Sequence, residues 1–365
     1  MKILHVITSL RIGGAEKLMV DLLPRLQDLG HKVSIYAFSG EHTPLTDQLS
    51  TAGIDVILGG ENDSVYHPKH IMVLRQLMPK FDIVHTHNTS PQLFAALANI
   101  GRHIPIVTTE HNTENRRRKL FFFRPIDRWM YRQYRQIICV SEPSIANLQA
   151  YLGNKSDKMC VINNGIDIQR FTNATASLEY NHKTLGAEHI IINVAGFRAQ
   201  KDQATLIRAL HLLPRTYHLL LVGDGVYLSE CKRLAKKLGA EQRVHFLGVR
   251  NDVPELLKAA DVVVMSSHYE GLSLSNLEGM AAGKPFVASD VDGLREIVAG
   301  YGVLFPHEDP NALAAEIKKI CNDTQYAATI ADRCQQRALE FDIRTMVSQY
   351  DTIYQKVMHQ GAYQS

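Results

Sequence analysis

Eleven short apolar runs punctuate the chain and constrain its fold more than any other feature. In the first half they are KILHVITS, KVSIYAF, DIVHTH, IPIVTTE and QIICVS. In the second half they are HIIINVAG, HLLLVGD, RVHFLG, DVVVMSS, PFVAS and GVLF. Most are continuous Ile, Val and Leu runs without strict polar alternation, as expected of parallel strands covered on both faces. Amphipathic segments of helix length lie between them, such as GAEKLMVDLLPRLQDLG and DQATLIRALHLL. This alternation predicts an α/β chain built on doubly wound sheets.

The alternation runs through two rounds. The stretch RFTNATASLEYNHKTLGAEH, 170–189, is polar and poor in apolar residues, and is the expected linker. It divides the chain into two Rossmann-like domains, 1–170 and 171–345, predicted to face each other across a cleft. The last amphipathic segment, about 345–365, fits against either half, including a return onto the first. Ligands of open α/β sheets bind outside the carboxyl ends of the strands, so the cleft is the expected site.

Composition narrows the function classes. The 365 residues carry a net charge of only +3, so no global basic field argues for nucleic acid. Cys139, Cys160, Cys231, Cys321 and Cys334 lie far apart, without metal-ligand spacing, which fits a reducing compartment better than a disulfide framework. The start, MKILHVITSLRIGGAE, reads as a first strand and a Gly-Gly turn, too short for a membrane span. A cytoplasmic location is expected.

The segment SSHYEGLSLSNLEGMAAGKPF, 266–286, places Glu270 and Glu278 at the mouth of a strand-to-helix turn. A helix is expected to start between Ser273 and Ser275 and to end at Gly283. Two readings stand for Glu278. Ser275-x-x-Glu278 has the spacing of a capping box. Alternatively, the helix N-terminus offers its amides to an anion, and Gly271, Ser273 and Ser275 let a diphosphate approach the backbone. Each glutamate would then point past the diphosphate to neutral hydroxyls, one on either side of it. That arrangement describes a nucleotide-diphosphate-sugar. For Glu270 the plain alternative is a solvated loop acid.

The pair Glu270-x7-Glu278, within HYEGLSLSNLEGMAAGKPFVAS, resembles the donor motif of retaining glycosyltransferases of the family 4 type. GGAEK, DIVHTHN, VTTEHN, VINNGIDIQRF, NVAGFRAQKD, LLLVGDG, VHFLGVRNDVPELLKAADV and DVDGLREIV resemble the same family in the same order, across nearly the whole chain. The resemblance implies the GT-B architecture, two Rossmann-like domains facing each other across a cleft. It gives Glu278 the ribose hydroxyls and Glu270 the transferred sugar, with the amides of Leu274 and Ser275 on the diphosphate. Lys201 matches the family's phosphate-binding lysine. The family's usual arginine falls at Gly196 here, and Arg198, two residues on and on the same face of an extended strand, is its expected replacement.

By the same resemblance Gly13 and Gly14 lie near the donor phosphate and the acceptor, a tight turn being their plain alternative. His111 matches the acceptor-side histidine. Arg250 and its neighbours lie by the base. His85 and His87 are read as structural or loop residues. Asp290-x-Asp292 resembles a metal-binding D-x-D but occupies the family's glycine-rich loop and is read as a coincidence. No metal and no cofactor is expected.

The stretch RRRKLFFFRPIDRWMYRQYR, 116–135, carries a net +7 with Phe121, Phe122, Phe123, Trp129, Tyr131 and Tyr134 interleaved. It suits contact with an anionic membrane surface. Equally, it suits a helix that packs Ile126, Trp129 and Met130 on the sheet and solvates its arginines. The resulting expectation is a metal-independent, retaining transfer of a hexose from a nucleotide-diphosphate-sugar, with UDP taken as the nucleotide, to a glycan or glycolipid hydroxyl. A sugar-nucleotide epimerase on the same architecture and a sugar-nucleotide-binding protein without turnover are the alternatives.

Overall fold

The computed structural model describes residues 1–362 except 12, 61–63, 112–122, 154–155 and 272. The chain divides into two compact units, Met1–Gly165 with Ile343–Ser365, and Ile166–Asp342.

The first unit is built on seven parallel strands: β1 Lys2–Ile7, β2 Lys32–Ala37, β3 Asp55–Leu58, β4 Ile83–His87, β5 Ile106–Glu110, β6 Gln136–Cys139 and β7 Met159–Val161. Their order is β3-β2-β1-β4-β5-β6-β7. Period-two alternation splits the sheet residues between two cores. Ile3, Ile7, Ile83 and Val107 face the helix Gly14–Asp28 and the final helix Ile343–Ala362, whose Tyr350, Tyr354 and Val357 are fully buried. Leu4, Val6, Val84 and Ile106 face the opposite layer, which includes the helices Thr89–Ala98 and Arg124–Gln133. The final helix is also held by polar contacts. His31 Nε2 lies 2.8 Å from Asp351 Oδ1, and the Arg135 guanidinium donates to the Val357 carbonyl at 3.0 Å.

The second unit repeats the plan with β8 His189–Val194, β9 Tyr217–Val222, β10 Val244–Gly248, β11 Val262–Met265, β12 Phe286–Ser289 and β13 Val303–Phe305. The order is β10-β9-β8-β11-β12-β13, again all parallel. Every apolar run expected as a strand forms one. β3 and β7, which the sequence reading lacked, are the two edges of the first sheet. Edge strands are covered less completely, and neither β3 nor β7 contains a fully buried residue, so their apolar signal is diluted.

The polar stretch 170–189 is not an open linker. Phe171 and Ala187 are buried in the core of the second unit, and the Ser177 amide donates to the Glu255 carbonyl at 3.0 Å. Two short helices, Ile168–Thr172 at its start and His182–Leu185 within it, are started by the side chains of Asp167 and Asn181. Their Asn, Asp and Ser content is cap chemistry, which reads as loop in a sequence. All five cysteines are free thiols. Among the described residues, no helix is long and apolar enough to cross a membrane.

Candidate active site

In each sheet the strand order reverses between the first and fourth strands of the round, β1 and β4 in one unit, β8 and β11 in the other. Crevices of doubly wound sheets open at this point, outside the carboxyl ends of the strands. In the second unit, the chain leaving β8 carries Lys201 and the chain leaving β11 carries Glu270. Lys201 ends a short 3-10 turn, Ala199–Lys201, after which Asp202 turns left-handed and caps the helix Gln203–Leu212 by accepting from the Thr205 amide.

The strand order brings these two side chains together. Lys201 Nζ lies 2.5 Å from Glu270 Oε1, with the side chains only 15% and 5% exposed. Ser267 Oγ donates to the same carboxylate oxygen at 2.5 Å. The frame around the pair is tied by the backbone. The Ser266 hydroxyl bonds the carbonyls of Lys201 and Asp202, at 3.2 and 2.8 Å. The His268 amide donates to the Gln200 carbonyl at 2.8 Å, and the Gln200 side chain donates to the Tyr269 carbonyl at 2.8 Å. Gly293, at φ +83°, lets a neighbouring loop lie on Glu270. A Cβ there would stand 1.9 Å from the Glu270 carbonyl oxygen.

The helix Leu274–Ala281 begins immediately after, with Ser273 as its N-cap and no side-chain cap. The Leu274 and Ser275 amides, in its first turn, therefore have no carbonyl one turn back to bond. Ser275 lies inside that turn, so it does not cap the helix and Ser275-x-x-Glu278 is not a capping box. Glu278, in the second turn, is 4% exposed. Gly271 is exposed, and Gly283, just beyond the helix, is left-handed at φ +70°.

Arg198 is solvent-exposed on the turn leading to Lys201. Arg250, after β10, is held by Asp252 at 2.7 Å and Glu179 at 3.1 Å and lies over the Tyr180 ring. These acids, Asp252 first, push its pKa above the ordinary arginine value. Asp290 and Asp292 pair with Arg295, at 2.6 and 3.4 Å, which supplies the cation that a D-x-D would otherwise seek.

In the first unit, Gly13 and Gly14 open the helix that follows β1. A Cβ on Gly13 would come within 2.3 Å of Glu16 Oε2, so the glycine makes room for a carboxylate folded back on the turn. Burial raises the Glu16 pKa. His111 follows β5, and its Nε2 lies 2.9 Å from His87 Nδ1. His85 and His87 are fully buried strand residues. Of the basic, aromatic stretch, 116–122 lies outside the described residues. In the helix Arg124–Gln133, Met130 and Tyr131 are buried, Trp129 is partly buried, and Ile126 is 45% exposed.

Two groups of site residues escaped the sequence reading. Asn276, between the two glutamates, is fully buried, and both its amide atoms lack a partner among the described residues. Its only sequence signal is a polar residue on the inward face of an apolar helix. His5 joins His87 and His111 in one hydrogen-bonded row, with the His85 ring stacked on His87 beside it. The signal there was spacing, since residues two apart in a strand share a face.

Residues 12–170 match the family described as Glycosyltransferase Family 4, and residues 180–338 match Glycosyl transferases group 1. The chain belongs to the group 1, family 4 glycosyltransferases. It is 26% identical over 383 aligned residues to the N-acetyl-alpha-D-glucosaminyl L-malate synthase of Bacillus anthracis, spanning 95% of each chain. It is 27% identical over 318 residues to the Escherichia coli UDP-Gal:alpha-D-GlcNAc-diphosphoundecaprenol alpha-1,3-galactosyltransferase, covering 80% of each. Anabaena HepE, solved in complex with UDP-glucose, superposes with a TM-score of 0.84 at 25% identity, covering 98% of this chain and all of that one. The fold is accordingly the GT-B fold of this glycosyltransferase family.

Proposed function

We propose that this glycosyltransferase moves a hexose from a UDP-sugar to a hydroxyl of a glycan or lipid-linked acceptor, with retention and without a metal. The observation that carries the reading is the Lys201–Glu270 pair at the switch point, next to the open amides of Leu274 and Ser275. An uncompensated carboxylate there would repel a diphosphate. Paired with the ammonium, Glu270 is neutralised and stays available to sugar hydroxyls. Lys201 then meets the charge that develops as the diphosphate leaves. Front-face displacement breaks the bond from the anomeric carbon to the phosphate oxygen, whose electron pair stays on the diphosphate. The acceptor oxygen bonds the same face, and its proton passes to the departing phosphate. Glu278 holds the ribose hydroxyls, Arg198 adds charge at the diphosphate, and Arg250 with its neighbours flanks the base. Gly13, Gly14, Gly271 and Ser273 let the backbone approach the donor, and His111 faces a substrate oxygen.

The UDP-glucose complex of HepE and the UDP-galactose named for the E. coli relative support UDP as the nucleotide. That relative acts on a diphosphoundecaprenol-linked sugar, which supports a lipid-linked acceptor and peripheral action at a membrane, and the five free cysteines fit a cytoplasmic location. Arg128 and Arg132, one turn apart on the helix Arg124–Gln133 and both exposed, offer positive charge suited to anionic lipid. A thermal-shift screen in EDTA against UDP-, GDP- and ADP-sugars tests the donor. UDP-sugars are expected to raise Tm, and Glu278→Ala to abolish the rise. An equal rise in wild type and variant contradicts the assignment of Glu278.

A further inference from the structure

Four histidines converge on one face of the first sheet. His5 on β1, His85 and His87 on β4, and His111 after β5 point to the layer that holds Tyr350 and Tyr354. His5, His85 and His87 are fully buried. His5 Nδ1 lies 3.0 Å from His87 Nε2, and His87 Nδ1 lies 2.9 Å from His111 Nε2. The two outer atoms of this row, His5 Nε2 and His111 Nδ1, are buried without a partner among the described residues. His85 stands beside the row with both nitrogens engaged, by Tyr354 at 2.6 Å and Thr109 at 2.8 Å.

Burial keeps the row uncharged, lowering His5 to about 3, His111 to about 4 and His87 well below the ordinary value. A neutral imidazole has one N–H and one lone pair. Each contact in the row needs one of each, so the tautomers are not independent. Either all three rings carry the proton on Nε2, or all three carry it on Nδ1. In the first case the unpaired N–H is His5 Nε2, sealed inside the sheet. In the second it is His111 Nδ1, on a partly exposed residue just past the end of β5 and so nearer to water and, on the reading that His111 faces the substrate, to a substrate oxygen. A buried N–H that can never be paired is the costlier state.

We propose that His5 and His87 are positioning residues that hold His111 as its Nδ1–H tautomer, so that His111 donates a hydrogen bond to a substrate oxygen and does not act as a base. This rests on the reading of His111 as a substrate-facing residue. Of the six ring nitrogens of His5, His85 and His87, whose ligand atoms lie within 4.8 Å of one another, five already make contacts, so a metal bound by all three would have to displace at least two of them.

The test is a long-range proton–nitrogen NMR spectrum of the full chain, labelled at histidine nitrogens, at neutral pH and without substrate. His5, His87 and His111 should each show a protonated Nδ1 and a bare Nε2. His87→Gln, whose amide still accepts from His5 and donates to His111, should keep the His111 signature. His87→Leu should lose it. With donor and acceptor, His87→Leu should lower kcat/KM about tenfold, the cost of one substrate hydrogen bond, and His87→Gln should recover most of it. The proposal is overturned by any of the three rings carrying its proton on Nε2, by an imidazolium among them, by metal retained on purification, or by His87→Leu matching wild-type turnover. The spectrum needs no turnover, so it judges the tautomers independently of the sugar-transfer reading.

Discussion

Lys201 and Glu270 are 69 positions apart in the chain and share one short ion pair shielded from solvent. Shielding makes each partner depend on the other, because removing one leaves a poorly solvated charge. Lys201→Met should therefore lower kcat by about a hundredfold or more, in the range seen when one donor to a developing oxyanion is lost. It should change donor affinity far less, and stopped assays of UDP release will separate the two quantities. A variant that loses affinity but not kcat would give Lys201 a binding role only. The pairing itself was not legible in the sequence. Each residue could be placed after its own strand, but their meeting follows from β8 lying beside β11, which is a property of strand order. Asn276 was missed for a similar reason, since its isolation from partners exists only in three dimensions.

At the scale of elements, the turn that carries Glu270 is held by a neighbour with no side chain. Gly293 is left-handed, and a methyl group there would collide with the Glu270 backbone. Gly293→Ala should destabilise the second unit by about 1–3 kcal/mol through strain and displacement. It should also weaken UDP-sugar binding by shifting Glu270. Calorimetric melting with a donor titration reads both, and a variant with wild-type Tm and affinity would remove Gly293 from this role. The strands were largely legible, because parallel strands covered on both sides must be apolar throughout. What the sequence hid were the edges, β3 and β7, and the short capped helices inside 170–189. The histidine row was half visible. His85 and His87 are two apart and share a face, but their alignment with His5 and His111 required the register of β1, β4 and β5.

At the scale of the whole molecule, the same histidines make the first unit sensitive to acid. Their folded pKa values lie below the unfolded value of about 6.5, so the unfolded chain binds more protons between the two. The stability they allow is complete above pH 6.5 and declines as pH falls toward 4. At pH 5, His5 and His111 each cost roughly 2 kcal/mol. Trp129, the only tryptophan, packs in the first unit, so its fluorescence follows that unit alone. The urea midpoint read this way should fall clearly between pH 7.5 and pH 5. A constant midpoint would mean that the row is already protonated in the folded state.

The central claim, that this chain cleaves a nucleotide-diphosphate-sugar with retention and without a metal, is met most directly by proton NMR of purified protein with UDP-sugars alone, in EDTA. Slow release of UDP, with the free sugar first appearing in the anomeric form it had in the donor, is the predicted result. The opposite anomer, an epimerised donor, or release that starts only when a divalent ion is added would contradict it.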